Sequence, residues 1–337
     1  MLVTPIALHG HQKPVTMVKY NREGDLLFST SKEPDGIAVW YTKTGERLGT
    51  YKGGHKTVSS CDVNCASTLL ATCGGDFKVN LWDVQSGANL ACIEHVAPVR
   101  CVQFAHDDSV FFSVSEAKMG QKSTIALFHL PSQLGVAPVN TKFNPYTTFE
   151  TPENILFAEW GPTNDTIYFG SEDGTVSILD VETMKEKQVV QVHGAEVRKI
   201  HFDSQYHTLV TASKDMSAKL IDSRDLKTIT TYKADVPVND ASISPRADHV
   251  LIGGGTEAQD VTTTGGSSKF EVKFYHKVLG GDKPMGSIRS HFGTINTVAF
   301  HPSGNSFASG AVDGFVKLQT FDEAYNSAPG AVPCWSA

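Results

Sequence analysis

Read as apolar and polar positions, the chain is a long series of short segments with a period of two. "TLLAT" at 68–72, "VNLWDV" at 79–84, "TIYFG" at 166–170, "VSILDV" at 176–181, "TLVTAS" at 208–213 and "AKLID" at 218–222 are typical. Successive side chains of a strand point to opposite faces, so this period predicts β-strands, and the Gly, Asn, Asp and Ser between them predict turns. Nowhere do about 18 apolar residues run together, as a membrane-spanning helix requires.

The strands recur in phrases opened by histidine. "GHQKPVTMVKYNREGDLLFSTS" surrounds His11, and "HKTVSSCDVNCASTLLATCGGD" starts at His55. "HGAEVRKIHFDSQYHTLVTASKD" starts at His193 and "HFGTINTVAFHPSGNSFASGAVD" at His291. His11 to His55 is 44 residues, His55 to His95 is 40, and the two further steps to His193 and His291 are 98 each, which fits two periods plus an insertion. Two unmarked starts, near Thr151 and Ala234, complete seven units. Four short strands per unit at ~40–45 residues is the signature of a WD-type propeller blade. Trp82-Asp83 is the one literal WD pair, with Leu179-Asp180 and Ile221-Asp222 at the equivalent place. The expected fold is all-β, a seven-bladed WD40-type β-propeller spanning residues 1–325, with a short C-terminal tail at 326–337. Ring closure needs a clasp, so "VTPIALHG" (Val3 to Gly10) is expected to be an N-terminal outer strand beside Val316 to Phe321.

Composition narrows the function. Apolar residues at 40 % and charged ones at 19 % describe a globular protein with a large core. A net charge of −7 without a basic stripe argues against autonomous nucleic-acid binding. The N-terminus "MLVTPIALHGHQK" has no charged leader before an apolar run, which gives the expectation of a cytosolic protein without a membrane partner. Cys61, Cys65, Cys73, Cys92, Cys101 and Cys334 form no CxxC pair, and most are read as reduced, packed thiols.

Three sets of hydroxyl, imidazole and carboxylate recur: Thr72, His55 and Asp76; Thr211, His193 and Asp215; Ser309, His291 and Asp313. One such set alone suits a hydrolase triad. Repetition at a His-to-Asp spacing of 21, 22 and 22 residues suits a hydrogen-bond network built into each blade, with Trp82 completing it in the second. Cys61, Cys65 and Cys73 with His55 suggest zinc, but they lie along predicted strands rather than two to four apart on a turn, and buried thiols fit better. HExxH, GxxxxGK[ST] and GxSxG do not occur. No catalytic, cofactor or metal site is expected, and Glu172 and Asp173 read as turn formers.

The phrases "VKYNREGDLLFSTSK" (Val18 to Lys32), "GERLGTY" (Gly45 to Tyr51), "TASKDMSAKL" (Thr211 to Leu220), "DHVLIGGGTEAQDVTTT" (Asp248 to Thr264) and "KFEVKFYH" (Lys269 to His276) carry a specific resemblance. So does "HFGTINTVAFHPSG" from His291, where Ser290 replaces a preceding glycine. The chain resembles the family of i subunits of eukaryotic translation initiation factor 3, which are WD-repeat propellers. That resemblance implies a non-catalytic scaffold role in assembly of the 43S pre-initiation complex, mRNA recruitment and scanning. It implies docking of a C-terminal helix of the b subunit and a segment of the g subunit, and contact with the small ribosomal subunit through the complex. The helix-binding surface of such proteins lies on blades five and six, and the matching positions are Leu220 and Asp222. "ALFHL" where a WD would stand in the third unit, Gly53-Gly54 before His55, and the tail "NSAPGAVPCWSA" depart from the pattern. Two other classes remain open, a WD-repeat adaptor in receptor or kinase signalling and a propeller enzyme with substrate at the central channel.

Two segments are enlarged. Pro131 to Asn154 reads as a variable connection between blades. "LIGGGTEAQDVTTTGGSSKF", Leu251 to Phe270, has the glycines of a phosphate loop, but a phosphate loop enters a helix N-terminus and "KFEVKFYHKV" reads as another strand. The expectation is an enlarged hairpin of blade six whose glycines permit a close backbone approach.

Overall fold

The computed structural model describes residues 3–118, 120–130, 143–256, 270–281 and 283–322. Among them every named element is a strand, arranged as seven four-stranded antiparallel sheets. The first strand, β1 (Val3–His9), precedes blade one, which is β2 (Val15–Tyr20), β3 (Leu26–Ser31), β4 (Ile37–Tyr41) and β5 (Arg47–Thr50). Blade two is β6 (Ser60–Val63), β7 (Leu69–Cys73), β8 (Lys78–Asp83) and β9 (Asn89–Glu94). Blade three is β10 (Val99–Phe104), β11 (Val110–Ser115), β12 (Ser123–His129) and β13 (Thr147–Thr151). Blade four is β14 (Ile155–Trp160), β15 (Thr166–Ser171), β16 (Thr175–Asp180) and β17 (Lys185–Gln191). Blade five is β18 (Val197–Phe202), β19 (Thr208–Ser213), β20 (Ser217–Asp222) and β21 (Thr228–Lys233). Blade six is β22 (Val238–Ile243), β23 (His249–Gly254), β24 (Glu271–His276) and β25 (Gly286–Arg289). Blade seven is β26 (Ile295–Phe300), β27 (Ser306–Ala311) and β28 (Phe315–Phe321), with β1 as its fourth strand.

The first strand of each blade touches that of the next, and β26 touches β2, so the ring closes. The fold is a seven-bladed β-propeller with the first strands around a central channel. The clasp expected from the sequence is present: β1 runs antiparallel to β28 in continuous register from Val3 opposite Phe321 to His9 opposite Phe315.

Two kinds of contact join the blades. Between their faces lie apolar layers; the one around Trp160 combines Val114 of blade three, Phe169 of blade four and Ile200 of blade five. Around the channel, polar side chains of one first strand accept backbone N–H groups of the next. Asp62 Oδ2 accepts from Phe104 N at 2.8 Å, Gln103 Oε1 from Trp160 N at 2.8 Å, and Thr297 Oγ1 from Val18 N at 3.3 Å. These donors lie inside the ring, where an unmade hydrogen bond costs ~1–3 kcal/mol.

The segment 131–154 is not a connection throughout. Its residues Thr147–Thr151 are the outer strand of blade three, paired with β12 from Thr147 opposite Leu127 to Thr151 opposite Ser123. Its polar, half-exposed pattern hides it, because an outer strand has one face toward solvent; 131–142 lie outside the described residues. In 251–270 the surplus falls between β23 and β24, which pair as a hairpin, and 257–269 lie outside the described residues. A Cβ on Gly254 would collide with the Pro237 carbonyl, and one on Gly253 would meet Ile295 and Val298 at 2.8 Å. Gly253 thus lets β23 lie against blade seven, and Gly254 lets it close on the chain entering β22.

Candidate functional site

The recurring polar sets fold as networks inside the blades. In blade two, His55 Nδ1–H donates to Asp76 at 2.9 Å, Nε2 accepts from the Thr72 hydroxyl at 2.9 Å, and Trp82 Nε1–H donates to Thr72 Oγ1 at 2.8 Å. His193 meets Asp215 at 2.8 Å and Thr211 at 2.7 Å; His291 meets Asp313 at 3.1 Å and Ser309 at 2.8 Å. In blade seven Gln319 takes the place of tryptophan, donating to Ser309 at 3.3 Å. Burial alone would raise the carboxyls of Asp76, Asp215 and Asp313, but bonds from the histidines, and for Asp215 from Ser217 as well, hold all three below the usual range. Thr72, Thr211 and Ser309 are fully buried, so none of these hydroxyls is placed to reach a substrate.

A fourth network, in blade one, escapes the sequence reading. His11 bonds Glu33 at 3.0 Å and Ser29 at 2.7 Å, and Trp40 Nε1–H donates to Ser29 at 2.8 Å. The signal is in the spacing, since His11 precedes its acid by 22 residues and its hydroxyl by 18, but glutamate stands where the other units have aspartate. Trp40→Phe should therefore cost about as much as Trp82→Phe, ~1–3 kcal/mol each for a lost buried hydrogen bond and a smaller ring. Denaturant midpoints measure it, and a neutral Trp40→Phe beside a costly Trp82→Phe would show that blade one does not use its network.

Most of the described cysteines are packed thiols, with Cys65 and Cys92 only partly buried. Cys61, Cys73 and Cys101 are buried, and burial pushes Cys61 and Cys101 up to about 12. Such groups are neutral and poor nucleophiles or ligands. Cys334 lies outside the described residues.

An ionic cluster lines the channel. Asp240, 1 % exposed, accepts Lys199 Nζ at 2.9 Å and Val298 N at 2.9 Å on Oδ2, and His201 Nε2 at 3.1 Å and Ala241 N at 2.9 Å on Oδ1. Burial opposes its charge, but Lys199 and His201 overcome that and hold Asp240 at about 2. Burial likewise disfavours the His201 cation, yet Asp240 and Glu159 raise it to about 9. Asp62 on β6 has one cation, Lys19 at 3.0 Å, and burial prevails, raising its carboxyl.

Of the two partner-binding candidates, Asp222 is at the surface and Leu220 is not. Leu220 is 2 % exposed and packs with Val210, Tyr232 and Val238 between blades five and six, so it offers no area to a partner. Period-two alternation does not reveal this, because both faces of a blade strand are covered. Asp222 accepts the Arg224 backbone N–H at 2.9 Å and its guanidinium at 3.1 and 3.2 Å, which lowers its carboxyl. Apolar side chains that are exposed here are Ile229 on β21 and Val278, Leu279 and Met285 around the β24–β25 turn. Tyr232 O–H donates to the Lys277 carbonyl at 2.6 Å and Gly281 N–H to that of Thr231 at 3.3 Å, joining the two blades under that patch. Glu172 and Asp173 are turn residues: Asp173 accepts Thr175 N at 2.9 Å and Glu172 accepts Asn154 Nδ2 at 2.8 Å.

A family model described as EIF3I matches residues 3–328. A Schizosaccharomyces pombe protein named eukaryotic translation initiation factor 3 subunit I is 40 % identical over 324 residues, covering 95 % of this chain and 97 % of its own. Namesakes from Nematostella vectensis, 38 % identical over 324 residues with 96 % and 98 % covered, and Aspergillus terreus, 40 % over 325 residues with 95 % of each covered, are similar throughout. A ring of seven blades and likeness along nearly the whole of both chains agree: the chain belongs to the family of eukaryotic translation initiation factor 3 subunit I.

Proposed function

We propose that this chain is a non-catalytic scaffold subunit of eukaryotic translation initiation factor 3 in the cytoplasm. It docks the C-terminal helix of the b subunit, together with the g subunit, and through the complex it supports 43S pre-initiation complex assembly, mRNA recruitment and scanning on the small ribosomal subunit. The observation that carries the docking is the exposed apolar patch of Ile229, Val278 and Leu279 on blades five and six, joined through the bond of Thr230 to the Val278 carbonyl, with Asp222 at the start of the turn that leads into the strand of Ile229. A partner helix buries apolar side chains in such a surface, and a carboxylate at its edge pairs with an arginine or a tyrosine hydroxyl of the helix. Leu220 serves this contact from beneath, by holding β20 and β21 against blade six.

Affinity purification at physiological salt followed by mass spectrometry tests the reading as a whole; recovery without any other subunit of the factor would sink it. For the surface, Asp222→Lys should weaken binding of the b subunit's helix by about tenfold or more, as loss of a charged pair at an interface does. Asp180→Lys is the control, because Asp180 closes the equivalent turn of blade four through Thr183 N at 2.8 Å. Equal weakening by both variants would trace the effect to turn stability and remove Asp222 from the interface.

A further inference from the structure

Beside the outer strand of blade one runs an apolar groove. β5 pairs Arg47 with Trp40 and Gly49 with Val39, so Leu48 is an unopposed bulge residue, 53 % exposed. Between this strand and the turn at 84–87 of blade two lies a cavity of about 390 Å³, lined by Leu26, Val39, Leu48, Gly49, Tyr51 and Val84, among others. That volume is within the ~300–1,000 Å³ of ligand pockets and admits a leucine or an aromatic ring.

Gly49 keeps this space open. Its φ is not positive, and a Cβ there would touch only Val39, at 3.7 Å, so neither the backbone nor the packing requires a glycine. Glycine inside a strand weakens it and often marks a place where a ligand or another chain comes close. The equivalent positions, opposite the same residue of the third strand, hold Ala91 in blade two, Thr147 in three, Gln188 in four and Thr230 in five; blade six has Gly286, opposite the larger Phe274.

The groove is the counterpart of the surface on blades five and six. There β21 pairs Thr228 with Ile221 and Thr230 with Leu220, which leaves Ile229 as the unopposed residue, 51 % exposed. Tyr51 and Tyr232 each follow the bulge residue by three positions, and each donates its hydroxyl to the first carbonyl after the third strand of the next blade, Val84 at 3.1 Å and Lys277 at 2.6 Å. The charge beside the groove is one-sided: between 42 and 53 the exposed charges are Lys43, Arg47 and Lys52 against Glu46 alone. Across it, Asp83 is taken up by the backbone N–H of Ser86 at 2.7 Å.

We propose that this groove docks a helical segment of another subunit of the factor, which inserts one leucine or aromatic side chain beside Gly49 and places carboxylates toward Lys43 and Lys52 at the two ends of β5. A four-residue strand with a bulge is a poor template for strand addition, so the contact is made by side chains laid along the groove. The apolar anchor carries most of the binding, and the cations attract the acidic flanks. The proposal rests on assembly of the chain into the factor, as proposed above.

The test uses the assembled factor carrying the photoreactive substitution Gln85→benzoylphenylalanine, at an exposed position in the groove wall, with adducts mapped by mass spectrometry. Illumination is expected to join position 85 to a segment of another subunit that holds a leucine or aromatic residue with Asp or Glu within one helical turn on each side. Gly49→Leu fills the cavity, so it should lower the adduct yield about tenfold while the melting temperature is unchanged or raised. Leu48→Asp, at an exposed position, should lower the yield several-fold and tests the groove even if Gly49→Leu impairs folding. Failure of the chain to assemble with other subunits would sink this proposal together with the proposed function. Assembly without an adduct from position 85, an adduct confined to this chain, an adduct to a segment without such residues, or full yield from a folded Gly49→Leu would overturn the groove alone.

Discussion

Asp240→Ala is expected to destabilise the propeller by about 3–5 kcal/mol, the range found when one member of a buried ion pair is removed. The carboxylate holds three blades at one point: Lys199 and His201 come from β18, Asp240 from β22, and the Val298 N–H from β26. Alanine leaves the amides of Ala241 and Val298 and two cations without this acceptor, and Lys199 keeps Thr297 at 3.2 Å. Asp240→Asn preserves the shape but removes the charge, so it should fall between wild type and alanine. Denaturant titration measures both, and a loss below about 1 kcal/mol for alanine would show that water replaces the network at little cost. The equivalent Asp62→Ala should cost less, because Asp62 holds one cation and burial already raises its carboxyl.

The pH dependence follows from the signs. Asp240 is lowered from 3.8 to about 2, so its contribution is present above the unfolded value and disappears as pH falls from near 4 through 2. His201 is raised from 6.5 to about 9, so its contribution is complete below 6.5 and is lost as pH rises through 9. Between these windows both contribute. Asp240→Ala should therefore flatten the loss of stability on both sides.

The repeat is legible because a blade network constrains spacing. Nδ1 of histidine must reach an acid across the hairpin and Nε2 a hydroxyl on the second strand, so His55, His193 and His291 carry nearly the same intervals to their partners. His11 obeys the same geometry with glutamate, and a search for aspartate passes over it. The closing strand is legible for a different reason: seven blades need a fourth strand for the last, and Val3 to Gly10 is the unassigned apolar stretch. What stays hidden is whatever the ring brings together. Lys19, Glu159, Lys199 and Asp240 are ordinary polar members of alternating strands until the channel faces them toward one another, and Thr297 reaches Val18 across 279 residues. Leu220 is assigned by resemblance and not by pattern, and its burial between blades five and six is likewise a product of the ring.

Removing residues 1–9 is expected to prevent accumulation of a stable, soluble propeller. β1 contributes a seven-residue ladder with β28 and buries Leu8 to 2 % exposure over Val316 and Leu318. It also reaches blade one: a Cβ on Gly45 would meet Ile6 at 2.7 Å and Leu8 at 2.8 Å, and the chain continues directly into His11 and its network. The strand is thus a tie between the last blade and the first. Burial of Leu8 and Ile6 contributes about 2 kcal/mol each, and the ladder's hydrogen bonds add ~0.5–1.5 kcal/mol apiece. Deletion also leaves the edge of β28 unpaired, a template for pairing between molecules. Leu8→Ala is the graded version, expected to cost ~2–5 kcal/mol by opening a cavity in the same place. Soluble yield and thermal unfolding measure both, and a synthetic Val3 to Gly10 peptide added during refolding should restore part of the truncated protein. A truncated chain that melts at the wild-type temperature would show that three strands suffice for blade seven and that the ring closes through its inner strands alone.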